Sequence, residues 1–123
     1  MKKVLIIDDS TTTRAVLKVY LSGQSIDFFE ATNGQDGLQL ARQELPDVII
    51  IDLKMPGMDG MTFCRRVRAE TALKHMPIIL ITGSKGSDVR AEALRSGASV
   101  FMTKPIDVPT LAKVVSSYLR GNE

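Results

Sequence analysis

Four apolar runs rich in β-branched residues each end on a residue that can do chemistry. Val4-Leu5-Ile6-Ile7 meets Asp8-Asp9, Val48-Ile49-Ile50-Ile51 meets Asp52, Ile78-Ile79-Leu80-Ile81 meets Thr82, and Ser99-Val100-Phe101-Met102-Thr103 meets Lys104-Pro105. If these runs are parallel strands of one sheet, carboxylates, a hydroxyl and an ammonium converge at its carboxyl edge, where open α/β sheets place ligands. Carboxylates that close repel one another, so such a cluster takes up protons or holds a cation. Magnesium accepts one or two acidic side chains plus a backbone carbonyl and keeps several waters, and Mn²⁺ is the other fit. With that cation and Lys104 present the cluster is formally neutral, leaving one carboxylate oxygen free to attack an activated phosphorus. Thr82, Lys104 and the cation are suited to stabilise the equatorial oxygens of an in-line transfer. Asp52, at the end of the most central run, is the expected nucleophile.

The elements that must position these residues alternate along the chain. After Asp8-Asp9, Ser10 or Thr11 can cap a helix whose Val16, Leu17, Tyr20 and Leu21 share a face, with Gly23 as its stop. Ile26 to Ala31 reads as a more polar strand nearer an edge. Asn33-Gly34 opens a helix carrying Leu38, Ala41 and Leu45, closed by Pro46. In Met55-Pro56-Gly57-Met58-Asp59-Gly60 the Pro-Gly pair suits a type II turn, and Asp59 can cap a helix bearing Met61, Phe63, Cys64 and Val67. Pro77 introduces the next strand. A helix with Val89, Ala93 and Leu94 ends near Gly97. The last helix has Asp107 as cap, Pro109 in its first turn, and Leu111, Val114, Val115, Tyr118 and Leu119 at helical spacing. Five βα units with short connections predict a doubly wound parallel five-stranded sheet, helices on both faces, in the flavodoxin-like order 2-1-3-4-5. In that order the first and third strands are neighbours, which brings Asp8, Asp9 and Asp52 together.

Composition bounds the function classes. A chain of 123 residues, 44% of them hydrophobic, suits one domain over residues 1–123 with a proper core. The net charge of +2 is spread out, without a Lys/Arg block and with few aromatics, so no nucleic-acid footprint is evident. The first apolar run meets Asp8 too early for a signal-peptide core, and no run approaches the ~20 residues of a membrane span. A cytoplasmic protein is expected. The single cysteine, Cys64, excludes an internal disulfide and reads as a small core residue.

Together these residues resemble the receiver domain of bacterial two-component response regulators, and the chain is similar in size to the single-domain, chemotaxis-type members. The resemblance runs from Asp8-Asp9 through Asp52 and the Met55–Gly60 segment to Thr82-Gly83 and Lys104-Pro105. It implies that Asp52 accepts a phosphoryl group from a sensor histidine kinase, a phosphotransfer protein or a small phosphodonor. Asp9 and Asp52 would ligate Mg²⁺ directly, Asp8 mainly through a metal-bound water, and Lys54 through its backbone carbonyl. Thr82 and Phe101 match the hydroxyl and aromatic positions that rearrange on phosphorylation, Lys104 contacts the phosphoryl group, and the bond before Pro105 is expected to be cis. Lys54 and Ser84 occupy positions that border the path of attacking water and tune phosphoryl lifetime. The altered surface would be the fourth helix, fifth strand and fifth helix, on which Arg90 places a charge, and it would bind an unidentified downstream protein.

Plainer readings stand beside these. Asp8 and Asp9 could serve only the macrodipole of the following helix, Thr82 could be a strand end, and Phe101 could be core. Arg14 reads as a solvated helix residue, Arg65, Arg66 and Arg68 as a wet face, and His75 as solitary. A phosphohydrolase of the haloacid-dehalogenase type needs Asp-x-Asp after its first strand, whereas Asp8-Asp9 are adjacent and Ser10 follows. A phosphorylation-independent docking module would lack the acceptor, the lysine or an acid. A receiver excised from a longer regulator or hybrid kinase would read as this chain does.

Overall fold

The computed structural model describes residues 1–83 and 86–121. Its elements alternate without exception: β1 (Lys2–Ile7), α1 (Thr11–Tyr20), β2 (Ile26–Ala31), α2 (Gly34–Glu44), β3 (Val48–Asp52), α3 (Gly60–Ala69), β4 (Ile78–Thr82), α4 (Ser87–Arg95), β5 (Val100–Thr103) and α5 (Val108–Gly121). The strands form one parallel sheet in the order β2-β1-β3-β4-β5, the expected doubly wound arrangement.

The unbroken apolar runs follow from burial on both faces, because successive strand residues point to opposite sides. Leu5, Ile7, Ile49, Ile51, Ile78 and Leu80 enter one core with Leu38, Phe63 and Val67 of α2 and α3. Val4, Ile6, Val48, Ile50, Ile79 and Ile81 enter the other with Leu17 of α1 and Leu111, Val115 and Leu119 of α5. β2 lies at an edge, as its exposed Asp27 and Glu30 require.

Side-chain caps fix where the helices start. Ser10 accepts from the Thr13 amide at 3.1 Å, Asn33 from Asp36 at 2.8 Å and Asp59 from Thr62 at 2.8 Å, each satisfying an amide with no partner inside its helix. Asp107 accepts from the Thr110 amide at 3.2 Å. α4 differs: Gly86 precedes it and supplies no capping side chain.

Four expected placements shift. Val16, Leu45 and Leu94 are 36%, 56% and 44% exposed rather than turned to the core. For Leu45 the reason is local, since it ends α2 in the left-handed region at φ 48° instead of continuing the helical face. Ser99 precedes β5, and its hydroxyl accepts the Ile78 amide at 3.0 Å.

Candidate functional site

Register builds the site. β1 and β3 pair as Ile7 with Ile51, so one residue further Asp8 and Asp52 stand side by side at the carboxyl edge. β3 and β4 pair as Asp52 with Ile81, and β4 and β5 pair as Thr82 with Thr103. Thr82 therefore ends the strand beside Asp52, and Lys104 follows the strand beyond. The Lys104 amide donates to the Thr82 carbonyl at 2.8 Å, holding the lysine's backbone to the same edge. The Lys104-Pro105 bond is cis.

One carboxylate oxygen from each of Asp8, Asp9 and Asp52 lies within 4.8 Å of the others. In an octahedral Mg²⁺ shell neighbouring oxygens lie about 3 Å apart and opposite ones about 4.2 Å, so the three carboxylates stand close enough to converge on one ion, directly or through its waters. Asp8 is buried and has its carboxylate Oδ1 fixed by the Ser10 amide at 2.8 Å. Asp9 is exposed. Lys104 Nζ stands 3.8 Å from Asp52 Oδ1. Burial pushes the Asp52 carboxyl above the usual carboxylate range; Lys104 and the Lys54 amide oppose this, while Asp8 and Asp9 add to it. That is the electrostatics of a cluster short of positive charge.

The loop after Asp52 folds tightly over the end of the sheet. The Leu53 amide donates to the Ile81 carbonyl at 2.9 Å, and the Gly60 amide returns to the Leu53 carbonyl at 2.8 Å. Gly57 has φ 78°, as the third position of a type II turn demands. Lys54 extends its side chain into solvent from this loop. Ser84, expected to flank the phosphoryl path, lies outside the described residues.

Thr82 is fully buried, and Phe101 is 6% exposed within the core that includes Leu80, Ala93 and Ala98. The ring is thus turned inward, against the sheet and the residues around α4.

Arg14 and Arg68 depart most from expectation. Arg14 is no solvated residue: its side chain is 11% exposed, and its Nη1 donates to the Asp8 carbonyl at 2.6 Å. Arg68 leaves the wet face to donate to the Gly97 carbonyl at 2.7 Å and the Met76 carbonyl at 2.7 Å, tying α3 to the segments that enter β4 and β5. Neither shows a periodic signal, because both work through backbone carbonyls. Cys64 is buried as expected, and burial pushes its thiol up to about 11. His75 is exposed.

The family model described as "Response regulator receiver domain" matches residues 4–116. The chain is similar to Protein PilH of Pseudomonas aeruginosa, 36% identical over 121 residues that cover 98% of this chain and 100% of that protein. It is 38% identical to Response regulator PleD of Caulobacter vibrioides over 96% of this chain, yet spans only 26% of that relative's length. Among solved structures, the chemotaxis response regulator CheY4 of Vibrio cholerae superposes with TM-score 0.87 at 32% identity, covering 97% of this chain and 99% of that one. No helix among the described residues is long and apolar enough to cross a membrane.

Proposed function

Because this chain belongs to the response regulator receiver domain family, and so is a phospho-accepting signalling switch of a two-component system, we propose which residues do the work. Asp52 is the acceptor. One of its carboxylate oxygens attacks the donor phosphorus, an O–P bond forms, and the bond to the donor's leaving group breaks with its electron pair. Asp8, Asp9, Asp52 and the Lys54 carbonyl hold Mg²⁺, or Mn²⁺ in its place. The bound cation supplies positive charge to the carboxylates and to the oxygens of the transferring group. Lys104 contacts the phosphoryl group, and the Thr82 hydroxyl moves toward it once it is attached.

The observation that carries this reading is the placement of three carboxylate oxygens within 4.8 Å of one another with an ammonium 3.8 Å from one of them. Receiver domains are signalling modules, and the only chemistry proposed here is phosphoryl transfer to and from Asp52 itself. The donor is a histidine kinase or a phosphotransfer protein, and the recipient of the signal is a further protein that binds α4, β5 and α5. Residues 1–123 are read as one receiver domain, a reading supported by PilH, whose whole length the chain covers, and the cytoplasm is its proposed location.

Acetyl phosphate with Mg²⁺ tests the assignment. Borohydride trapping and mass spectrometry should find label on Asp52 alone. Label that persists in Asp52→Asn, or that forms equally well in EDTA, overturns it.

A further inference from the structure

We propose that Arg14 is a positioning residue for the acidic site, setting the Asp8–Asp9 peptide so that both carboxylates face the cation. The inference rests on the reading of Asp8, Asp9 and Asp52 as cation ligands. It starts from the way Asp8 is held. Its amide donates to the Ala31 carbonyl of β2 at 3.0 Å, and its carboxylate accepts the Ser10 amide at 2.8 Å. Its carbonyl, one residue beyond β1, is taken by Arg14 at 2.6 Å.

That carbonyl belongs to the peptide joining Asp8 to Asp9, so fixing its plane fixes the direction in which Asp9 leaves the backbone. Asp9 needs such help. It is exposed, and among the described residues no protein group donates a hydrogen bond to its carboxylate. Asp8 has its own side-chain anchor, whereas Asp9 depends on the backbone that Arg14 holds.

Arg14 is itself held from two more directions. Its Nε donates to Glu30 Oε1 at 3.0 Å and its Nη2 to Thr11 Oγ1 at 3.3 Å, while Lys18 Nζ grips the other Glu30 oxygen at 2.8 Å. The guanidinium thus bridges α1, β2 and the end of β1. Glu30 serves both Arg14 and Lys18 and so matches only one of their two charges, which makes Arg14→Lys the variant that keeps the charge and removes the geometry. A planar fork can serve a carbonyl and a carboxylate in fixed directions at once; an ammonium on a flexible stem cannot.

The test is a Mg²⁺ titration of the full chain, followed by amide chemical shifts at Asp8, Asp9 and Asp52, with thermal unfolding recorded for each variant. Arg14→Ala and Arg14→Lys should both weaken Mg²⁺ binding about tenfold or more, the size expected when a group that orients metal ligands is lost. The Asp9 amide should shift in the metal-free Arg14 variants. A purely structural role would lower the unfolding temperature and leave the Mg²⁺ affinity alone. Unchanged affinity in folded Arg14→Ala, or full restoration by Arg14→Lys, overturns the proposal. If Arg14→Ala does not fold, Arg14→Lys carries the decision. Absence of Mg²⁺-dependent shifts at all three aspartates in the wild type would instead defeat the ligand assignment beneath it.

Discussion

Lys104 Nζ approaches Asp52 Oδ1 only to 3.8 Å, with the lysine side chain 37% exposed and the aspartate side chain 12% exposed. The cation is close enough to matter and too far to compensate a carboxylate crowded by burial and two further acids, so the Asp52 carboxyl lies above its usual range. Between the ordinary and the raised value the native state binds more protons than the unfolded chain. Stability is therefore lost as pH rises from the ordinary carboxylate value through the raised one, and stays lost above it. In EDTA at pH 7, Asp52→Asn should unfold about 2–5 °C higher than wild type. The gain should vanish at acid pH, where the wild-type carboxyl is neutral as well. Saturating Mg²⁺ should reverse the order, because wild type gains more from binding. Scanning calorimetry decides it; an asparagine variant less stable in EDTA at pH 7 would refute this account.

Gly57, in the loop after β3, and Gly60, where α3 begins, should behave differently. A Cβ on Gly60 would sit 2.5 Å from Leu80 Cδ1, 2.8 Å from the Asp52 carbonyl oxygen and 2.9 Å from Leu53 Cα. Leu80 can yield, but the backbone of Asp52 and Leu53 cannot without moving the acceptor. Gly60→Ala should cost about 1–3 kcal/mol and slow labelling of Asp52 by acetyl phosphate. Gly57→Ala meets open space at φ 78°, so it should cost about 1–2 kcal/mol through backbone strain alone and leave labelling intact. Equal labelling rates in the two variants would separate the loop's packing from the site's geometry.

The sequence conveys the strand order and the acidic cluster for one shared reason. A strand buried on both faces must read as a continuous apolar run, and its end is marked by the first residue that cannot be buried without a partner. Asp8, Asp52 and Thr82 announce themselves this way, whereas Lys104 follows an edge strand that is only partly buried. Residues acting through backbone carbonyls do not announce themselves. Arg14 and Arg68 look like any helical arginine, and only the crossing of chain segments distant in sequence shows what they hold. Val16 and Leu94 mislead in the opposite sense, since helical spacing alone does not tell the core face from its exposed margin.

Leu45 is legible only from the backbone. It occupies the left-handed region at φ 48° and ψ 61°, where its amide donates to Ala41 at 3.0 Å and closes α2, while its side chain stays 56% exposed. Glycine suits that conformation without a Cβ penalty, though it also widens the unfolded ensemble. Leu45→Gly should stabilise the protein by about 0.5–1 kcal/mol and leave Asp52 labelling unchanged. A lower unfolding temperature would mean that the exposed leucine packs more usefully than its surface implies.

The final prediction concerns how Asp52 reaches the far surface. Phe101 lies opposite Leu80 in the β4–β5 register and is buried under α4 with Ala93 and Ala98, whereas Thr82 is two residues further along β4 at the site. Both residues adjoin the helix that follows Thr82 in the chain, so a movement of the Thr82 hydroxyl can pass to that helix directly as well as through the ring. α4 is suited to move: Ala93 is its one buried residue among those described, and Gly86 gives it no capping side chain. A dianion on Asp52 should draw the Thr82 hydroxyl into a charge-assisted hydrogen bond worth about 1.5–3 kcal/mol. An energy of that size shifts a two-state equilibrium about tenfold to a hundredfold, short of completion unless a partner binds the shifted face. Beryllofluoride, a phosphoryl mimic, should therefore move amide resonances along α4 and β5 in wild type. Thr82→Ala should lose most of those shifts, whereas Phe101→Leu, which keeps an apolar side chain in place, should retain them. Loss in Phe101→Leu with retention in Thr82→Ala would assign the coupling to the aromatic ring instead.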